Sequence, residues 1–348
     1  SMTSMTDGGD NVAVGTSALD IDTKGSKTVA IGRNALGSQN FTSATNTHNT
    51  AVGYKAGNAV TTGVSNTFLG ALSGDAVTTG TQNTFLGINA GGATTTASNN
   101  TAIGSNALLA NTTGTRNVAV GGLALDANTT GQRHAAVGYA ALSTNTEGNY
   151  NTAVGDIALQ LNTTGSLNTA VGLGALEANT TASNNTAVGA ESLDANTTGA
   201  NNTAVGKGAL TANCMSANTE GNDNIAMGVS TLDANTTGSN NTALGRQALQ
   251  ANTTASNSTA VGLSALQANT TGNNNTAVGS VALDANTTGD NNCAFGRASL
   301  TTNTTGHSNI GIGVSALEAV QTGAGNVGIG TNCLVSATGS QNTAIGNG

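Results

Sequence analysis

The chain has no proline and no tryptophan, and only 2% of its 348 residues are aromatic and 7% charged. Ordinary globular domains carry about 25% charged residues, so a conventional aromatic-centred domain with a charged surface is excluded. Disordered chains are usually rich in charge and proline, and this chain has neither. Nine Lys and Arg stand against 17 Asp and Glu, a net charge of −8, and the basic residues are scattered. Nucleic-acid binding calls for a basic stripe, and none is present. No apolar run approaches the roughly 18 residues of a membrane span, and no signal peptide is visible.

Chemistry-bearing residues are equally sparse. The cysteines, Cys214, Cys293 and Cys333, form neither a disulfide framework nor a metal motif. His48, His134 and His307 lie far apart in the chain, and no Ser or Cys is placed with a His and an acid. Catalysis needs convergent titratable groups, so the expectation is a non-enzyme with no cofactor and no metal site. The Gly-Ile-Gly stretches near Gly313 and Gly330 follow the repeat register and are not a dinucleotide loop.

What the chain does have is a repeat. The segment Asn274–Asp290, NNTAVGSVALDANTTGD, recurs almost end to end. With the Gly of Ala-Val-Gly as position 0, the phasing glycines run from Gly15, Gly32 and Gly53 to Gly313, Gly330 and Gly346, twenty copies in all. The step is 17 residues, except for 21 before Gly53, 22 before Gly228 and 16 before Gly346. Apolar residues never recur at helical spacing, and Asn, Thr and Gly clusters break every copy as turn residues do. The expectation is an all-β parallel β-solenoid of about twenty 17-residue coils, one coil per repeat. Two short strands are expected per coil, around Thr-Ala-Val-Gly and around Leu-x-Ala-Asn-Thr. At about 4.8 Å per coil, one elongated body roughly 95 Å long is expected over residues 1–348. Residues 1–10 read as a flank that includes a tag remnant, and the end in mid-repeat reads as a fragment of a longer chain.

The copies serve as an internal substitution table. No Asp, Glu, Lys or Arg occupies −3, −2, −1, 0, +3, +4 or +6 in any copy, and Leu fills +4 in sixteen of nineteen. Charges and tyrosines collect at +1 and −5, among them Tyr54, Arg116, Arg133, Tyr139 and Tyr150, and eight acids fill +5; these positions are read as facing solvent. The three copies without Leu at +4 carry Gly57, Gly74 and Gly91, and two of them exchange the usual Ala at −2 for Phe68 and Phe85. A close-packed interior conserves volume, so −2 and +4 are expected to share one apolar space, with Phe68 also covering Gly57. If −2 points inward, alternation sends −1 outward. Yet −1 is always Val, Ile, Leu, Met or Phe. A strand apolar on both sides is buried on both sides, which predicts self-association.

Asn11–Gly15 (NVAVG), Thr28–Gly32 (TVAIG) and the NNTAVG, NIAMG and NTAIG segments resemble the short repeats in heads of YadA-like trimeric autotransporter adhesins. The likeness spans essentially the whole chain, although the repeats of that family are commonly shorter and carry a hydrophobic residue where Thr is usual here at −3. It implies a left-handed parallel β-roll, a homotrimer and a place outside the cell, anchored to the outer membrane through a region absent here. The Thr-Ala-Val-Gly-x-x-Ala-Leu arrays are also similar to trimeric phage and virus fibres, which implies a virion fibre instead.

The functional expectation is a surface adhesin or fibre head that attaches to a host cell or surface through glycan or protein. The alternatives are a purely structural spacer and an ice-binding solenoid, the last because Asn at +7 and Thr at +9 would share a face. The Asn-Thr-Thr sequons are read as a stacked ladder closing each turn, and the +5 acids as a solvated face rather than a Ca²⁺ site. Insertions in a solenoid gather on a binding face. The two long steps, at 37–48 and 211–221, therefore give the candidate recognition residues: Phe41, Thr42, Asn46 and His48 in the first loop, and Cys214, Met215, Asn218 and Glu220 in the second.

Overall fold

The structure is a computed structural model that describes residues 2–210, 220–336 and 338–348. It divides into two compact units, Ser1–Leu173 and Gly174–Gly348. Each is a parallel β-solenoid, and among the described residues no helix forms.

The first unit holds ten three-residue strands, from Val12–Val14 and Val29–Ile31 to Thr169–Val171, one per coil. Within the unit, successive strands pair in parallel, −3 on −3, −2 on −2 and −1 on −1, as in Thr152↔Thr169, Ala153↔Ala170 and Val154↔Val171. The second unit repeats this with ten strands from Thr186–Val188 to Thr343–Ile345. Register survives both long steps, with Val29↔Thr50 across the first and Thr203↔Ile225 across the second. The strand ladder therefore keeps its register across both long steps.

Among the described residues the expected second strand does not form. Around Leu at +4 the backbone enters the left-handed region, with φ near 54° at Leu108 and Leu125, and again two residues earlier at Asn106 and Leu123. Alternation between left-handed and other conformations cannot propagate as a strand. Coil-to-coil bonding continues regardless, since Leu108 donates to Ala124 O at 2.9 Å and Ala110 to Asp126 O at 2.8 Å. Holding a Leu in this conformation costs about 1–2 kcal/mol, and its complete burial returns roughly 1.5–3 kcal/mol. Burial wins, and the Leu side chains at +4 from Leu19 to Leu317 are buried.

Position 0 needs glycine for two reasons. Gly228 has φ of +134°, and a Cβ built there would lie 2.9 Å from the carbonyl carbon of Gly245 in the next coil. Only a residue without a side chain fits both the backbone and the approach.

The core is built of small side chains. Ala at −2 and +3 and Leu at +4 are fully buried in nearly every coil. Phe68 and Phe85, at −2, stack with centroids 5.6 Å apart. A Cβ on Gly57 would meet Phe68 Cδ2 at 2.6 Å and Leu36 Cδ2 at 2.9 Å. Cβ atoms on Gly74 and Gly91 would strike the rings of Phe68 and Phe85 respectively. Positions −2 and +4 do share one space, and Phe68 serves two coils.

Candidate recognition surfaces

Two asparagine ladders line the interior beside this apolar space. At +7, Asn128 Nδ2 donates to Gly131 O at 3.0 Å and to Asn111 Oδ1 at 2.9 Å, and Asn145 repeats the pattern on Asn128. At −4, Asn100 Oδ1 accepts from the Asn117 N–H at 2.9 Å, and Asn117 Nδ2 reaches Gly131 O at 3.0 Å. Buried amides are tolerated because their groups find partners, the Oδ1 atoms of Asn196 and Asn303 being exceptions.

This placement corrects the shared Asn-Thr face. Asn at +7 is buried, Thr at +8 is half-buried with its hydroxyl on the next coil's carbonyl (Thr112 Oγ1 to Thr129 O, 3.1 Å), and Thr at +9 is exposed. The chain bends between +7 and +9, so the period-2 alternation of a strand does not apply. The same burial removes the Asn-Thr-Thr amides from reach as glycan acceptors in the folded chain, because Nδ2 of Asn128 already donates twice.

The outward face of the strands is apolar along its centre. Residue −1 is exposed or half-buried in every coil, for example Val14 at 57%, Leu69 at 45% and Phe295 at 56%. The neighbouring −3 positions are Thr or aliphatic apart from Cys293, and Val118 and Ile225 are exposed. The row carries no charge in any copy. Exposed apolar surface of this continuity marks an interaction face.

Among the first-loop candidates, Thr42, Asn46 and His48 are exposed. Phe41 is not available to a ligand, being only 7% exposed. The carboxylate of Asp22, itself buried, draws the chain inward there. Its Oδ1 accepts from the Gly25 and Phe41 N–H groups at 3.0 and 3.1 Å, and its Oδ2 from Gln39 Nε2 at 2.7 Å. Nearby Gly25–Ser26 and Thr45–Asn46 form a short parallel pair. Of the second loop, Glu220 is exposed, whereas Cys214, Met215 and Asn218 lie outside the described residues. Cys333 is a buried space-filler whose thiol faces Ala344 O at 3.3 Å, and Cys293 is half-buried in a −3 slot.

The +5 acids are half-buried rather than fully solvated. Burial pushes the Asp75, Asp126 and Asp194 carboxyls above the usual range; at Asp194, repulsion from Glu191, Glu177 and Asp233 adds to it. Asp194 lines a cleft of about 560 Å³ with Glu177, Glu191, Lys207 and Asp233. Among the described residues, no group of three or more His, Cys, Asp and Glu side chains is placed to hold a metal ion.

His134 replaces Asn in the −4 ladder. It is buried, its Nδ1 accepts from the Asn151 N–H at 3.2 Å, and its Nε2 lies 3.3 Å from Asn145 Nδ2. Burial lowers its pKa from 6.5 to about 4, against smaller raising contributions from Gly148 and Asn151. Sequence reading placed no significance on this residue; its signal was a His in a slot that is Asn in the adjoining copies.

No protein-family model matches the chain, and a search of curated proteins returns no match.

Proposed function

We propose that this chain is the non-catalytic head of a surface adhesin or virion fibre, assembling as a homotrimer outside the cell and attaching to a host cell or surface. The observation that carries the reading is the uncharged −1 row, exposed coil after coil on a strand whose other face is already core. Solvent alone does not select Val, Ile, Leu, Met or Phe in every copy, whereas packing against identical rows of other chains does. The resemblance of the Thr-Ala-Val-Gly arrays to adhesin heads supports the same conclusion.

The uniformity of the coils also suits a spacer that only extends a fibre. Beads coated with the purified protein separate the two. Attachment to epithelial cells above that of albumin-coated beads, competed by soluble protein, is expected of the adhesin. Attachment no better than albumin would leave the spacer.

A further inference from the structure

The −5 row is the outward edge just before each strand, and its backbone is left-handed in every coil. Asn tolerates that conformation best among residues with a side chain. Asn or a small or amide residue accordingly fills −5 at Ser65, Gln82, Asn99, Asn184, Asn201 and Asn240. Lys27 and His48 depart from this in two early coils, and four consecutive later coils of the first unit depart from it with Arg116, Arg133, Tyr150 and Leu167, held at φ of 58–60°. At +4 a strained Leu is compensated by burial. Here nothing is buried in return, because all four side chains are exposed. Unfavourable backbone retained without a packing gain points to function.

The four are neighbours in space. The Arg133, Tyr150 and Leu167 N–H groups each donate at 3.0 Å to the preceding coil, on Thr115, Gln132 and Asn149, so the side chains stack at about the 4.8 Å strand spacing. Arg133 Nη1 donates to the Tyr150 hydroxyl at 2.7 Å, with its guanidinium carbon 5.1 Å from the ring centroid. The guanidinium is thereby held over one side of the exposed Tyr150 ring, and Arg116 lies one coil away. The +9 slots of the same stretch hold Thr113, Thr130, Glu147 and Thr164, so the stretch counts two arginines to one acid in these two slots, in a chain whose net charge is −8.

We infer that the Arg116–Arg133–Tyr150 ridge binds an anionic glycan, with guanidinium groups on sugar carboxylate or sulfate and the tyrosine ring against a pyranose face. This deepens the attachment reading and rests on it, by naming a site and a ligand class.

The test uses the full chain and the variant R116N/R133N/Y150N. Asn is already the residue of this slot in other coils, so the variant is expected to fold with an unchanged or higher melting temperature. Immobilised heparin (sulfated), polysialic acid (carboxylated), dextran (neutral) and poly-glutamate are the probes. The expected result is binding to heparin, polysialic acid or both, weakened by salt, at least tenfold weaker in the variant, and weak or absent on dextran and poly-glutamate. Preference between the first two identifies the anionic group. Variant binding within twofold of wild type, no wild-type binding to either acidic glycan, or equal binding to poly-glutamate would each overturn the inference. If the wild type nevertheless attaches to cells, only the ridge is lost; if it does neither, the attachment reading fails with it.

Discussion

Phe68 offers the sharpest test of the packing argument, because one ring fills the space left by two missing leucines. Phe68→Ala should cost about 3–5 kcal/mol, the range for a fully buried Phe. Gly74→Leu alone should also destabilise, by about 1–3 kcal/mol, since a Cβ there already strikes the Phe68 ring. Backbone conformation is no obstacle, because Gly74 has φ of 58° and Leu108 in the same slot has 54°. Combined, the two changes restore the Ala/Leu pairing found in most coils. The double variant should be more stable than Phe68→Ala, with a coupling of about 1–3 kcal/mol. Adding Gly57→Leu should recover most of the remainder, because Phe68 Cδ2 lies where that side chain would start. Urea unfolding at matched protein concentration is the assay, with oligomeric state checked so that assembly does not mask the comparison. A double variant whose loss equals the sum of the single losses would refute the shared cavity.

The remaining predictions concern the polar interior and the exposed rows. His134, at a pKa of about 4 folded against 6.5 unfolded, stays neutral in the fold while the unfolded chain takes up a proton. Its contribution to stability therefore falls as pH drops from 6.5 to 4, by roughly 3 kcal/mol. The raised Asp75, Asp126 and Asp194 carboxyls act in the opposite direction. The diagnostic is thus the pH dependence of wild type minus His134→Asn in chemical unfolding; parallel curves would refute the assignment. Asn128→Ala breaks two donated bonds and strands Asn145, so a loss of about 2–4 kcal/mol is expected. Thr130→Ala on the exposed +9 row should stay within about 0.5 kcal/mol, and thermal melts distinguish the two.

Much of this architecture was legible because the copies supply their own substitution table. The charge-free slots marked the interior, and the Phe68/Gly74 exchange located a contact. What the sequence could not convey was backbone geometry. Leu at +4 reads as a strand residue, yet it sits at positive φ, and no pattern of side chains reveals a left-handed turn that burial compensates. Asn at +7 and Thr at +9 looked like partners on one face for the same reason. Phe41 looked exposed because it lies in an insertion, and the buried Asp22 carboxylate that draws its loop inward is a single-copy feature with no repeat to betray it. Arg116, Arg133 and Tyr150 were legible as a shared, solvent-facing −5 slot, but the left-handed backbone that makes them unfavourable there was not.

The central claim is that the outward −1 row is covered by further copies of the chain. Burying the residual surface of each Val or Ile there contributes on the order of 1 kcal/mol, and the gain accumulates coil by coil against one association cost. Light scattering coupled to size-exclusion chromatography at micromolar concentration measures this directly. The account predicts a mass about three times the 33.6 kDa chain, falling toward one chain mass when Val137, Val154 and Val171 are replaced by Lys. A wild-type protein that elutes as a folded monomer of 33.6 kDa would contradict it.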